Sequence, residues 1–287
     1  MHFFIFGNMK KVMLFDMSNL MMRCLFAFKY GPLEKDFGLT RNTFLKSFIK
    51  TIADNSPDKV ICCLDNSSWR KEMFETYKEN RKAFREKSII DFDAFFSVSN
   101  RIINGLRECM PNIQFLDVPR CEADDLIAVI TKHYQTQYNI INISTDHDFY
   151  QLFKYPNYKQ YDGMMHSFVE VLNPEQELLL KIILGDKGDS VPKLKAGVGV
   201  KTAHNIIEKG LDEWLDKEGL RERFEENTKL ISFDCIPTDL VNNIITEVDN
   251  FQPGKFDSIG FQNFIINEGL PEIFERINDY KNILKKV

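Results

Sequence analysis

Lys11-Val12-Met13-Leu14-Phe15-Asp16 is an apolar run closed by an acid, and Lys59-Val60-Ile61-Cys62-Cys63-Leu64-Asp65 repeats the theme. Each reads as a buried strand with a carboxylate at its C-terminal end. A third strand, Asn139 to Ser144, runs straight into Thr145-Asp146-His147-Asp148. Helical periodicity fills the intervals. One helix runs from Asn19 to about Lys29, capped by Ser18 and ended by the Gly31-Pro32 break. Others span Thr40 to Ala53, Asp91 to Cys109 and Glu122 to Gln135, with a short strand at Ile113 to Leu116. This alternation predicts an α/β fold, a doubly wound and mainly parallel sheet with helices on both faces. Lys159-Gln160-Tyr161 and Phe168-Val169-Glu170 predict a small hairpin, and from Asn173 onward the chain reads as helical. The expected organisation is an α/β body over residues 1–185 and a helical C-terminal part over 186–287.

Composition narrows the class. A chain of 287 residues holds about two domains. With 44% apolar and 28% charged residues it is ordinary globular protein, which excludes disorder, collagen and coiled coil. The 25 phenylalanines promise a large core. No run reaches the roughly 18 apolar residues of a membrane span. Phe3-Phe4-Ile5-Phe6 is too short for a signal-peptide core and lacks a basic flank. Met9-Lys10-Lys11-Val12 reads as a second start, which makes residues 1–8 an extension outside the fold. None of the six cysteines forms a C-x-x-C pair, so zinc-ribbon and disulfide-scaffold readings fail, and a reducing compartment, the cytoplasm, is expected.

The net charge of −5 argues against a simple nucleic-acid binder, but the acids are unevenly placed. Asp16 and Asp65 close strands, and Asp146 and Asp148 follow a third. Glu122, Asp124 and Asp125 open a helix, and Asp186 and Asp189 follow Leu184-Gly185. Setting these nine aside leaves 33 acids against 37 bases, a basic remainder. Singly, each acid has an ordinary explanation as a helix cap or turn residue. Together they converge, because ligands of open α/β sheets bind beyond the carboxyl ends of the strands. Seven to nine carboxylates in one crevice repel strongly unless cations neutralise them. The oxygen-only donor set selects Mg²⁺ or Mn²⁺ over Zn²⁺. His147 should point away from the crevice and is not counted as a ligand. Two such ions about 4 Å apart can clamp the attacking and leaving oxygens of an in-line displacement, so phosphodiester hydrolysis is the leading chemistry.

Two further stretches suit nucleic acid. Residues 69–87 carry seven bases (Arg70, Lys71, Lys78, Arg81, Lys82, Arg85, Lys87) interleaved with Trp69, Phe74, Tyr77 and Phe84. Bases attract phosphates and aromatic faces stack on exposed bases, so the segment reads as a sleeve for a single strand. Lys78 and Arg81, three apart, should share a helix face. The segment follows Asp65, which places it over the acidic crevice. Downstream, Gly197-Val198-Gly199 precedes Lys201-Thr202-Ala203 and a helix. Glycines admit a phosphate to the backbone and helix N-termini bind anions. Lys193, Lys195 and Lys201 add charge.

Together these motifs resemble the flap endonuclease and 5′→3′ exonuclease family, most nearly its T-even bacteriophage ribonuclease H branch. The carriers are Leu14-Phe15-Asp16, Cys63-Leu64-Asp65-Asn66, Tyr77-Lys78-Glu79-Asn80-Arg81, Glu122-Ala123-Asp124-Asp125, Ser144-Thr145-Asp146-His147-Asp148-Phe149 and Gly185-Asp186-Lys187-Gly188-Asp189. Leu230-Ile231-Ser232-Phe233-Asp234-Cys235-Ile236-Pro237 also resembles that branch. The resemblance covers residues 10–280. It implies a nuclease body with a helical arch over 67–90 and a helix-hairpin-helix over 186–210. Asp16, Asp65, Glu122 and Asp124 would form the tighter of two Mg²⁺ sites, with Mn²⁺ able to substitute. Asp125, Asp146, Asp148, Asp186 and Asp189 would serve the second ion, partly through water. Lys78 and Arg81 would hold the scissile phosphate, with Tyr77 beside them, and Arg23 would bind phosphate from the first helix. Gly197 and Gly199 would grip duplex phosphates, in some members through K⁺. The implied protein is a monomeric 5′ nuclease, in a host cytoplasm if phage-encoded. It would remove RNA primers and flaps from DNA and RNA–DNA duplexes, with a sliding clamp and a single-strand-binding protein as partners and no membrane. The alternatives are a PIN-type single-strand ribonuclease and a non-catalytic DNA-junction-binding module. The glycine hairpin and basic arch argue against the first, and the complete acid set argues against the second.

Overall fold

The computed structural model describes residues 9–27 and 36–287. The expectations for residues 1–8, for the Gly31-Pro32 break and for the helix end near Lys29 lie outside the described residues. Strand β1 (Lys10–Asp16) leads into α1 (Met17–Phe26) and α2 (Gly38–Asn55). After β2 (Lys59–Cys63) come the short helices α3 (Arg70–Met73) and α4 (Glu79–Glu86), then α5 (Phe92–Cys109). Strand β3 (Gln114–Leu116), α6 (Ala123–Tyr134) and β4 (Tyr138–Ile143) follow. A 3₁₀ segment, His147–Lys154, connects to β5 (Tyr158–Asp162) and β6 (Ser167–Phe168). The remainder is helical: α7 (Pro174–Leu184), α8 (Val200–Glu218), α9 (Arg221–Ile231), α10 (Thr238–Asp249), α11 (Ser258–Asn267), α12 (Pro271–Phe274) and α13 (Ile277–Leu284).

The six strands form one sheet in the order β3-β2-β1-β4-β5-β6, parallel except for β6. β1 pairs with β2 on one side and β4 on the other, and the strand order reverses between β1 and β4. In register, Asp16 lies beside Cys63, and Phe15 beside Ile143. The carboxyl ends of β1, β2 and β4 therefore open onto one crevice, at the switch point where such sheets bind ligands. Both faces are covered, which is why β1 and β2 read as continuous apolar runs rather than alternating ones.

The phenylalanines build the core on one face. Phe15, Phe44 and Phe48 are fully buried, with ring centroids 4.8 Å (Phe15–Phe48) and 6.1 Å (Phe44–Phe48) apart. Burying each such side chain stabilises the fold by about 1.5–3 kcal/mol. Helices α1, α2 and α5 supply this face together with Phe261, Ile265, Ile273 and Leu284 of the C-terminal helices. The other face is covered by α6 and by Leu240, Ile244 and Val248 of α10. Thus α10–α13 return to the α/β body, while α7–α9 form a smaller core around Leu180, Ile183, Leu194, Val198 and Leu215. The expected boundary at 185 falls at the end of α7.

Two local expectations differ. The first helix begins at Met17, not Asn19, because Asp16 itself is its cap: its Oδ1 accepts the Asn19 N–H at 3.0 Å. The helices flanking the glycine turn are α7 and α8, so residues 186–210 hold only one helix, the start of α8. Residues 186–191 instead close a small antiparallel bridge between Asp186 and Val191. Gly185, at φ +66°, makes that turn, where a Cβ would lie 2.5 Å from the Val191 carbonyl. No helix among the described residues is long and apolar enough to cross a membrane. The six cysteines are free thiols.

Candidate metal centre

The acids reach the crevice from five places. Asp16, at the end of β1, accepts from Asn19 N–H and from Ser144 Oγ at 3.1 Å. Asp65, two residues past β2, accepts the Ala123 N–H at 2.8 Å and so ties itself to the start of α6. Glu122, Asp124 and Asp125 open α6 with carboxylate oxygens within 4.8 Å of one another. Asp148, Asp186 and Asp189 form a second such group. Asp146 starts the 3₁₀ segment, accepting the Asp148 N–H at 2.9 Å. His147 is exposed and stacks on Tyr150, ring centroids 4.6 Å apart; its segment is 3₁₀ rather than extended, and it lines a cavity together with Asp146, Asp148 and Asp186.

The electrostatics show the strain of gathering these charges. Burial, then Asp65 and Asp146 beside it, push the Asp16 carboxyl up to about 7. Burial and the neighbouring Asp125 raise Asp124 well above its ordinary value. Burial would also raise Glu122, but Lys78 and Arg70 outweigh it and hold that carboxyl below the usual range. Lys181 does the same for Asp186.

Besides Arg70, described below, three bases stand among the acids. The Lys78 ammonium contacts Glu122 Oε1 and lies 3.8 Å from Asp189. Arg81 reaches Asp189 at 2.6 Å. Lys181 contacts Asp148 and lies 2.7 Å from Asp186. Tyr77, buried, places its hydroxyl 3.2 Å from Glu122 and 3.1 Å from Asp189, and its single proton serves one of them at a time.

The expectation that Lys78 and Arg81 share a helix face is corrected. Lys78 is the residue before α4, at φ +61°, a left-handed conformation uncommon outside glycine. Arg81 lies in the first turn of α4, and the two converge on Asp189 because the chain turns between them. The segment 67–90 is also less of a free sleeve than its composition predicts. Trp69, Arg70 and Tyr77 are buried, and only 79–87 runs exposed along its length. Arg70, counted among the phosphate-seeking bases, instead points inward. Its guanidinium lies 3.3 Å from Glu122 and 2.9 Å from Asp125, and its Nε donates to Leu230 O at 2.8 Å.

Asp125 has a protein partner at each carboxylate oxygen. It is fully buried, with Oδ2 accepting the Glu122 N–H at 3.0 Å and Oδ1 facing Arg70. The signal was present in the sequence. Glu122 and Asp125 have the spacing of a capping box, which the structure forms.

The remaining nucleic-acid candidates lie apart from the acids. Gly197, at φ +82°, and Gly199 leave open space before α8. Lys193 donates to Val198 O at 3.1 Å, bracing the turn, and Lys195 pairs with Glu218 at 2.5 Å. Lys201 is exposed on the first turn of α8. Arg23 lines a separate cavity of about 700 Å³ with Lys46, Lys50 and Tyr161. Its Nε and one terminal nitrogen are buried without a hydrogen-bond partner among the described residues.

The donor set, all carboxylate oxygen and crowded by its own charge, fits hard divalent cations. Lys78 and Lys181 occupy positions where such cations would neutralise the same oxygens.

Comparison with known proteins gives one consistent result. A family model described as the 5′-3′ exonuclease N-terminal resolvase-like domain matches residues 11–179. Ribonuclease H of Enterobacteria phage T4 is 32% identical over 244 residues, covering 77% of this chain and 79% of that protein. The 5′-3′ exonuclease of Bacillus subtilis (strain 168) is 28% identical over 218 residues, 70% of each chain. Among solved structures, the phage T5 5′-exonuclease with bound zinc superposes with a TM-score of 0.69 at 20% identity, covering 84% of this chain and 99% of that one. The phage T5 flap endonuclease, in a complex with DNA and metal ions, gives 0.67 at 18% identity with the same coverage.

Proposed function

This chain belongs to the 5′-3′ exonuclease family, and from that premise we propose that it is a Mg²⁺-dependent, structure-specific 5′ nuclease that removes RNA primers and flaps during DNA replication. It is a phosphodiester hydrolase. The observation that carries this reading is the pair of carboxylate groups, Glu122–Asp124–Asp125 and Asp148–Asp186–Asp189, joined across the crevice by Tyr77 and Lys78. A protein that only bound DNA would gain nothing from focused negative charge facing phosphate.

Asp16, Asp65, Glu122, Asp124, Asp146, Asp148, Asp186 and Asp189 would hold two Mg²⁺ ions, or Mn²⁺ in their place. The ions would supply positive charge for the attacking and leaving oxygens of an in-line displacement. Asp125 serves the site from behind, fixing Glu122 through its backbone and neutralised by Arg70. Lys78 and Arg81 would bind the scissile phosphate. A phosphodiester entering the crevice competes with Glu122 and Asp189 for these cations, and their charge is worth most as negative charge builds on the transferring phosphate. Gly197, Gly199 and Lys201 would grip duplex phosphates at the start of α8, with K⁺ as a candidate bridging ion. A monomer working at primer ends would call on a sliding clamp and a single-strand-binding protein.

The test is cleavage of end-labelled flap, nicked and RNA–DNA substrates in Mg²⁺ and in EDTA. The reading requires Mg²⁺-dependent release of short products from the 5′ end. Equal cutting of unstructured single-stranded RNA would favour the PIN-type ribonuclease instead.

A further inference from the structure

The stretch Leu230-Ile231-Ser232-Phe233 contributes no acid and no exposed base, yet it lies at the junction of the segments that carry the acids. Asn227, one turn earlier on α9 and 1% exposed, donates through its amide to Ile182 O at 2.9 Å and Pro192 O at 2.8 Å. Those two carbonyls flank the Asp186–Asp189 loop on either side. Gln151, 5% exposed, donates to Asp148 O at 3.0 Å and to Ile231 O at 3.2 Å, and accepts the Phe233 N–H at 2.9 Å. One side-chain amide thus holds the loop of Asp186 and Asp189, and a second holds Asp148, and both are tied to the end of α9.

We propose that Asn227 and Gln151 are positioning residues that set the geometry of the Asp148–Asp186–Asp189 group, so that the end of α9 shapes one of the two metal sites. The inference rests on the nuclease reading for the use of that site, but not for its construction. Asp148 and the Asp186–Asp189 loop are separated by β5, β6 and α7 in the chain. Each carries backbone carbonyls that accept from these buried side-chain amides. An amide with two donors satisfies two carbonyls at fixed separation, and this converts the position of α9 into the position of the carboxylates. Such partners of ligating groups tune metal affinity although they do not touch the ion. The Glu122–Asp124–Asp125 group is fixed differently, by Arg70 and the start of α6, so the two groups should respond separately.

The experiment uses Asn227→Leu and Gln151→Met, which keep size and remove the donors without adding charge. Thr228→Val is the control, since Thr228 Oγ1 donates only within its own helix, to Phe224 O at 2.7 Å. Each full-length protein is checked for folding by thermal melting, then titrated with Mn²⁺ alone and followed by electron paramagnetic resonance. We expect two binding events in the wild type. In Asn227→Leu and Gln151→Met one event should weaken by about 10–100-fold while the other is retained. Thr228→Val should bind as the wild type does even where its melting temperature falls. Duplex affinity in EDTA should stay within about twofold of the wild type in every variant. Folded Asn227→Leu and Gln151→Met proteins with wild-type Mn²⁺ binding would overturn the proposal, as would equal weakening of both events. If Asn227→Leu does not fold, Gln151→Met decides by the same criteria. Absence of flap cleavage by the wild type would remove the nuclease reading and leave this comparison intact.

Discussion

The Lys181 ammonium lies 2.7 Å from the Asp186 carboxylate and also contacts Asp148, so a base from α7 stands inside one of the two acidic groups. The three side chains are mostly but not fully buried, and without the lysine two carboxylates would face each other unpaired. Lys181→Met should therefore destabilise the metal-free protein by about 1–3 kcal/mol, below the cost of breaking a fully buried pair. Mg²⁺ should restore most of that loss, because it neutralises the same oxygens. Melting curves with EDTA and with Mg²⁺ check this, and an equal loss in both conditions would place Lys181 outside the metal site.

Asp16 gives the centre a pH signature. Its carboxyl is raised from an ordinary value near 3.8 to about 7, chiefly by burial. An acid raised on folding costs nothing below its unfolded value, and its penalty grows as pH climbs toward the folded one. The metal-free protein should thus lose stability between about pH 4 and pH 7, with no further loss from this group above. Asp16→Asn keeps a capping side chain and removes the charge. Its melting temperature in EDTA should exceed that of the wild type by a margin that opens across this window. Cleavage should be abolished. A margin independent of pH would assign the effect to packing.

Asp124 and Asp125 are neighbours with opposite duties. Asp124→Asn should lower cleavage by orders of magnitude while leaving duplex binding and stability largely intact. Asp125→Asn strips Arg70 of a buried partner and should cost about 3–5 kcal/mol of stability. Chemical denaturation and single-turnover cleavage of the two variants separate these effects.

The same pair shows what the sequence could and could not reveal. The sheet and its acidic edge were legible because β1 and β2 are apolar on both faces, β4 is rich in isoleucine, and each leads into an acid, a pattern local to a few residues. Arg70 and Lys181 were not, because a base declares its partner only after the chain has folded: Arg70 lies in a stretch rich in exposed charge, and Lys181 on a helix with ordinary patterning. Asn227 and Gln151 act through backbone carbonyls far away in sequence, which leave no mark in residue type. The Glu122–Asp125 capping spacing, by contrast, was readable, because it is local to one turn of helix.

Among the hairpin lysines, only Lys201 is exposed without an internal role. Lys193 braces the turn and Lys195 is paired with Glu218. Lys201→Ala should reduce the dependence of log affinity on log salt for duplex DNA by about one. Lys195→Ala should change it less. Filter binding at several salt concentrations measures the slopes, and an unchanged slope for Lys201→Ala would remove the start of α8 from the duplex interface.

The arch joins both halves of the argument. Residues 68–78 are anchored by buried Trp69, Arg70 and Tyr77, whereas 79–87 presents a row of exposed charged side chains. Hydrogen exchange without DNA should therefore be slow over the first stretch and fast over the second, and a threaded flap should protect the second. Lys78 and Arg81 sit at the boundary, held by Glu122 and Asp189. Lys78→Ala and Arg81→Ala should each slow single-turnover cleavage at saturating substrate more than they weaken affinity, because charge that matters most in the transition state is lost from kcat. Substrate affinity in EDTA should change little, since the start of α8 still grips the duplex. A variant that lost only affinity and cut at the normal rate when saturated would make these residues a binding sleeve. The left-handed backbone at Lys78 would then need another explanation.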